Sequence, residues 1–304
     1  MAQLFVPLTG GFKKAAGSGF NTFGENLDRP QWHGAELGGL DTFPDVWGAV
    51  SEAEFHDWII GVHHPLYKEG GPAWCRFLDP DPTVRCHALD LAATSATAAH
   101  HVGARYILFH FPWPGLGRPD ALDLGWYFTY KLEDPAAWTE QTCYEASRLV
   151  FERMAEIQAK ESIKVVLEID GPYSYFYEGD MFERLFAEYP DLSLCIDTGR
   201  MGLLARTHGQ DPLALTRRFL PWTRHLHLHT SRWDEQGRFQ NHIPTCAAHT
   251  ADKWPAVTPA ADILRLVLEA QPRCTVVLEH DPGLVSPAEL EEAHRWVADL
   301  VSRA

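Results

Sequence analysis

The chain has 304 residues, 45% of them hydrophobic, and a formal net charge of −15. That length allows one large domain or two small ones, with ample apolar content for a sizeable core. The acidic balance, with Lys and Arg dispersed apart from Lys13–Lys14 and Arg217–Arg218, argues against nucleic-acid binding, which needs a concentrated basic face.

No apolar run reaches membrane-spanning length. No basic region followed by a long apolar run opens the chain, so no secretory signal is expected. Cys75, Cys86, Cys143, Cys195, Cys246 and Cys274 are scattered without a CxxC pair. This argues against a zinc ribbon or a dithiol redox motif and fits reduced thiols in a cytoplasm, although spacing alone does not exclude a disulfide.

In chain order, QLFVPL (3–8) reads as a first strand, GAELGGL (34–40) as a second, and FHDWIIGVHHP (55–65) holds a third. Residues 82–102 are Ala-rich with apolar positions at helical spacing. GARYILFHF (103–111) opens after Gly and closes before Pro112, which suits a buried parallel strand. A helix over 136–160 is followed by SIKVVLEID (162–170), a helix around 181–189, LSLCIDTG (192–199) and a helix around 212–220. The histidine strand RHLHLHTS (224–231), a helix around 260–270 and TVVLEHD (275–281) complete the series. A last helix begins at Ser286, where SPAEL is a capping-box signature.

Eight strands with intervening helices predict an α/β fold, a (β/α)8 TIM barrel forming a single domain over 1–304, with long loops after strands 1, 4 and 7. A doubly wound open sheet is the structural alternative, but no GxGxxG follows the first strand. Loops as long as 112–135 and 231–259 carry function or disorder.

The run at 224–231 is the most informative. His225, His227 and His229 alternate with Leu226 and Leu228, so a strand points three imidazoles one way. They are either buried polar groups bonded to backbone or neighbours around a metal or anion. In a barrel the chemistry sits at the C-terminal strand ends, and here those ends carry His63, His110, Glu168, Asp197, His227 and Glu279. This mixture suits Mn²⁺, Zn²⁺, Co²⁺ or Fe²⁺, and Mg²⁺ where carboxylates dominate. Two carboxylates at one metal can act as general acid and base on opposite faces of a substrate whose enediolate the metal stabilises.

VHHP, the helix at 82–102 followed by VGARYILFHFP, VVLEID, CIDTGR, HLHLHT and VVLEHD stand in the order seen in the xylose-isomerase-like barrel superfamily, which the chain resembles from about residue 34 to 281. That group includes sugar and sugar-phosphate isomerases and epimerases, dehydratases, and the AP-endonuclease branch. The resemblance implies one divalent-metal site (Mn, Zn, Co or Mg) made by Glu168, Asp197, His227 and Glu279, with His227 rather than His225 or His229 as the ligand. It implies that Glu168 and Glu279 shuttle the proton, and it leaves a homodimer open.

Two departures carry information. Arg200 stands where the family commonly has His after Asp-Thr-Gly; an arginine recognises carboxylate or phosphate, so an anionic substrate group is expected there, unless Arg200 pairs with Asp170 or Asp197. QNHIP resembles the family's "DxH.P" segment, keeping His242 but placing Gln240 for Asp. A three-metal cluster would lack two ligands, which argues against AP-endonuclease activity.

His63 and His110 are open to substrate contact, to a second metal or to a structural role, and His242 is a further substrate contact. His64 is expected to face away from the mouth, and Cys195 to be an inert core thiol. Asp170 shares a face with Glu168 and either meets substrate or bonds a neighbour. Trp113, Trp126, Trp233, Trp254, Tyr173, Tyr175 and Tyr177 fall in expected top-face loops, as sugar-facing aromatics or as packing. The leading reading is a metal-dependent sugar, sugar-acid or polyol isomerase or epimerase. A metal-dependent dehydratase, a non-catalytic metabolite-binding barrel and a phosphodiester hydrolase are the rivals.

Overall fold

The computed structural model describes residues 1–9, 32–67, 75–112, 139–170 and 174–304. Eight parallel strands close into a barrel: β1 (Gln3–Thr9), β2 (Gly34–Leu40), β3 (Ile59–Tyr67), β4 (Tyr106–Phe111), β5 (Lys164–Ile169), β6 (Ser193–Asp197), β7 (Thr223–Leu228) and β10 (Thr275–Leu278). Each pairs with its sequence neighbour in the barrel, and β10 closes on β1 with Gln3 opposite Thr275. The (β/α)8 expectation is therefore met.

Helices cover the outside: α1 (Phe43–Phe55), α2 (Pro82–His101), α3 (Glu140–Glu161), α4 (Ser174–Tyr177), α5 (Met181–Glu188), α6 (Thr198–Thr207), α7 (Pro212–Phe219), α8 (Ala260–Ala270) and α9 (Pro287–Arg303). Along α2, Ala88, Ala92, Ala96 and Ala99 are buried. Small side chains at this spacing make one face and let the helix lie close to the strands. The box at α9 forms as its sequence suggests: Ser286 Oγ accepts from Glu289 N, and the Glu289 carboxylate accepts from Ser286 N.

Three helices lie where the sequence reading placed none, the short α4 among them. α1 starts at a capping box between Thr42 and Asp45 with Pro at its first turn. α6 begins directly after β6, because the Asp197 side chain accepts from Arg200 N at 2.8 Å and caps it; the strand expected to run to residue 199 stops there. The stretch 231–259 is likewise not irregular. It folds into an antiparallel hairpin of β8 (Thr230–Trp233) and β9 (Phe239–Ile243), then a 3₁₀ turn at Ala251–Lys253. The expected loops after strands 1 and 4, the latter with Trp113 and Trp126, lie outside the described residues, as does Tyr173 after β5.

Alternate residues of a strand share a face, and the barrel interior reads as layers. Phe5, Tyr106, Leu108, Val166, Cys195 and Val277 form an apolar floor inside the barrel. Two residues further along their strands come His110, Glu168, Asp197 and Glu279. One period of each strand, about 6.6 Å of rise, thus turns an apolar plug into a polar mouth at the C-terminal end. Val165, Leu167, Ile196 and Leu226 point the other way, into the larger core under the helices.

Candidate metal centre

The three histidines of the 224–231 run occupy successive levels. His225 lies deepest, its ring 4.3 Å from that of Tyr106, and burial draws it down to about 3, so it is neutral. His227 is fully buried at the next level, level with Asp197 on β6 and Val277 on β10. His229 follows just past the end of β7 and meets Asp197, with Nε2 2.9 Å from Oδ1.

Around His227 the acids converge. Its Nδ1 lies 3.3 Å from Glu168 Oε1 and 3.4 Å from Glu279 Oε1. Glu168, Asp197 and His227 each offer a ligand atom within 4.8 Å of the others, and so do His63, His227 and Glu279. The four side chains that the resemblance implies as ligands therefore meet at one mouth.

Imidazoles flank both glutamates. Glu168 Oε2 is 3.4 Å from His63 Nε2 and 3.5 Å from His110 Nδ1. Glu279 Oε2 is 3.9 Å from His229 Nε2 and 4.0 Å from His242 Nδ1. Each flank is itself a group with metal-ligand spacing, His63–His110–Glu168 and His229–His242–Glu279.

Arg200 pairs with Asp170, Nε to Oδ1 at 3.1 Å, and the other Asp170 oxygen meets His110 Nδ1 at 2.7 Å. Asp170 thus joins Arg200 to His110. Arg200 is buried, and burial draws it down to about 9, which leaves it charged at neutral pH.

The electrostatics describe a site rich in negative charge. Burial raises the Asp197 pKa well above the usual carboxylate value, and Glu168 and Glu279 push it further. Burial would also raise Glu168, but His110 and His227 outweigh it and hold it well below. Glu279 is lowered in the same way by His227 and His242. Burial would lower His227, but the buried Cys195 sulfur and the carboxylates of Glu279, Glu36 and Glu168 raise it well above its usual value. In this state protons supply the positive charge that the carboxylates call for.

A dication fits the same place. Glu168 Oε2 and His227 Nδ1 are buried and make no hydrogen bond among the described residues, an arrangement that is costly unless a cation takes it up. Mixed carboxylate and imidazole donors suit Mn²⁺, Zn²⁺ or Co²⁺.

The described aromatic residues whose role the sequence left open take packing roles, and Tyr175, Tyr177 and Trp233 lie inside elements rather than loops. Tyr177 is not a sugar-facing loop residue: it ends α4, is buried, and donates from its hydroxyl to Asp170 O at 3.1 Å. Tyr175 sits in α4 and packs on the core. Trp233 is buried under the hairpin against Leu203, with Trp254 beside it. His64 turns away from the mouth to Ser95, at 2.9 Å, as expected. Cys195 is buried on the floor, its thiol pushed up to about 12 by burial, and it is inert as expected.

Glu36 and Tyr106 were not singled out by the sequence. Glu36 is buried in β2, accepts from the Tyr106 hydroxyl at 2.7 Å, and faces His227. Its only signal was an acid at an inward position of a strand otherwise made of Gly, Ala and Leu. Tyr106 reaches it by lying across Gly61, where any Cβ would overlap its ring.

A sequence profile of xylose isomerase-like TIM barrels matches residues 12–300. The chain belongs to the xylose isomerase-like TIM barrel family. Solved structures share the fold at low identity. The 3-keto-D-glucoside 4-epimerase of E. coli is 11% identical, with a TM-score of 0.62, over 98% of this chain and 100% of that one. A mannonate dehydratase of Streptococcus suis is 13% identical, with a TM-score of 0.60, over 99% and 93%. The IolI protein, solved with a bound zinc atom, is 13% identical, with a TM-score of 0.62, over 99% and 98%. No curated protein matches in sequence. Among the described residues of this xylose isomerase-like barrel, no helix is long and apolar enough to cross a membrane.

Proposed function

We propose that the protein is a divalent-metal-dependent isomerase or epimerase acting on a sugar, a sugar acid or a related polyol. The observation that carries this reading is the convergence of Glu168 and Glu279 on His227 Nδ1, at 3.3 and 3.4 Å, with Asp197 in the same cluster. Glu168, Asp197, His227 and Glu279 would hold one ion (Mn, Zn, Co or Mg). When bound, the ion supplies Lewis-acid stabilisation of negative charge on the substrate oxygens as the adjacent C–H is deprotonated.

The remaining work belongs to the side chains. One of Glu168 and Glu279, kept ionised by its neighbouring imidazoles, takes the proton from carbon, and the other, carrying a proton taken from solvent, returns one to the enediolate carbon. His63 and His110 beside Glu168, and His242 beside Glu279, contact substrate hydroxyls. Arg200 pairs with Asp170, the alternative that calls for no anionic substrate group, and so holds Asp170 against His110. Three-metal endonuclease chemistry, disfavoured by the sequence, would need metal ligands at residues 200 and 240; here Arg200 bonds Asp170, and Gln240 accepts from Arg232 Nε at 2.7 Å. We read the chain as one domain, and its free cysteines suit a reducing cytoplasm.

The test is to measure metal content and then incubate the loaded protein in D₂O with a panel of ketoses, aldoses and keto acids. Deuterium should enter at carbon next to the carbonyl, and Glu168→Gln and Glu279→Gln should each abolish it. Protein that takes up no divalent ion, or exchange that survives both changes, overturns the reading. A dehydratase shares the first proton removal. It would be recognised by a product lighter by one water.

A further inference from the structure

His227 is wedged between acids on both of its nitrogens. Nδ1 faces Glu168 and Glu279, whereas Nε2 faces both oxygens of Glu36, at 3.1 and 3.4 Å. A carboxylate can only accept. Glu36 also receives the Tyr106 hydroxyl at 2.7 Å, which anchors it from the floor of the barrel. It is fully buried, with no solvent to turn towards.

We propose that Glu36 is a positioning residue: it accepts the Nε2–H of His227 and so presents Nδ1, rather than Nε2, to the divalent cation. The proposal rests on the metal-dependent reading above. Its physical basis is general. A ligating imidazole has one nitrogen for the metal, and whatever bonds the other nitrogen fixes the tautomer and the ring plane. Here the two nitrogens have distinct surroundings. One side holds the carboxylates implied as ligands; the other holds an acid that reaches His227 and Tyr106.

The arrangement also explains why an acid occupies the middle of β2. A buried carboxylate is costly unless its partners compensate it. Glu36 has two, and the pair spans the barrel from β2 through β4 to β7. Tyr106 therefore acts one step further out, by holding Glu36.

The experiment uses the full-length protein and zinc ion as probe. Zn²⁺ affinity is measured by competition with a chelator for the native protein, Glu36→Gln and Tyr106→Phe. Separately, long-range ¹H–¹⁵N spectra of the zinc-loaded native protein assign the His227 tautomer. The expected result is an Nδ1-bound, Nε2-protonated His227, with 10–100-fold weaker zinc binding in Glu36→Gln, the usual effect of losing such an outer partner, and a smaller loss in Tyr106→Phe. Zinc bound through Nε2, or unchanged affinity in Glu36→Gln, overturns the role of Glu36 while leaving the metal site standing. A native protein that binds no zinc or other divalent ion overturns the metal reading and this role with it. If Glu36→Gln does not fold, the native tautomer and the Tyr106→Phe affinity decide the matter.

Discussion

Gly199 offers a sharp perturbation because it has no room to grow. It is the second residue of α6, in the CIDTGR segment. A Cβ added there would stand 2.6 Å from both Asn241 Oδ1 and Ser231 Oγ, and closer still to His229 Cε1. Ordinary contacts lie near 3.5–4.0 Å, so three side chains must each retreat by roughly 1 Å. They have little freedom. Ser231 Oγ donates to Asn241 Oδ1, and His229 Nδ1 accepts from His242 N at 3.3 Å while Nε2 meets Asp197. Overpacking costs about 1–3 kcal/mol, and losing a hydrogen bond to a charged acceptor about 1.5–3 kcal/mol. The better helix propensity of Ala returns at most about 1 kcal/mol. Gly199→Ala should therefore destabilise the metal-free protein by roughly 2–5 kcal/mol in urea unfolding. It should also weaken Zn²⁺ binding, because Asp197 loses the imidazole that orients it. A variant with the native unfolding midpoint and native zinc affinity would show that the hairpin does not press on the site as described.

Three further outcomes are expected. Above pH 6.5 the depressed acids Glu36, Glu168 and Glu279 are ionised whether the chain is folded or not, so the slope that begins there belongs to the imidazoles of His63 and His227, both raised on folding. Groups with raised pKa contribute stability that is lost as pH rises. The metal-free protein should lose stability from pH 6.5 upward, and zinc affinity should rise over the same range as the protons it displaces become easier to remove. Calorimetry in two buffers, reporting proton release, checks this; pH-independent zinc binding would contradict it. Arg200→Met strips a buried partner from Asp170 and should cost about 3 kcal/mol, read by thermal unfolding. Changing Asp170 to Asn in addition should restore part of that loss. Asp197→Asn should both weaken metal binding and loosen the start of α6, seen as faster amide exchange at Arg200.

Much of the site could be read from period-two alternation, because one strand step separates Val166 from Glu168, Cys195 from Asp197 and Val277 from Glu279. Alternation also placed three imidazoles on one face. What it could not supply was the partner of each ring. His225, His227 and His229 look alike in sequence, yet one meets Tyr106, one meets Glu36 and the glutamates, and one meets Asp197. Those neighbours lie on distant strands and appear only when the barrel closes. Glu36 was hidden for the same reason: GAELGGL reads as a weak strand, and its acid gains meaning from His227, 191 residues away. The boundary at Asp197 was misread because that one side chain ends a strand, caps a helix and faces the other acids. The aromatic residues were ambiguous for another reason, since Tyr177 and Trp233 carry no mark that separates a lid from a prop.

The side chains proposed as ligands come from β5, β6, β7 and the residue just past β10, and β10 must dock between β7 and β1 before Glu279 reaches its neighbours. On that proposal, a growing polypeptide on the ribosome would hold an incomplete chelate until its last strand has emerged. The cell would therefore load the ion after synthesis, into a finished protein, and a chain cut short before residue 275 would compete poorly for scarce metal.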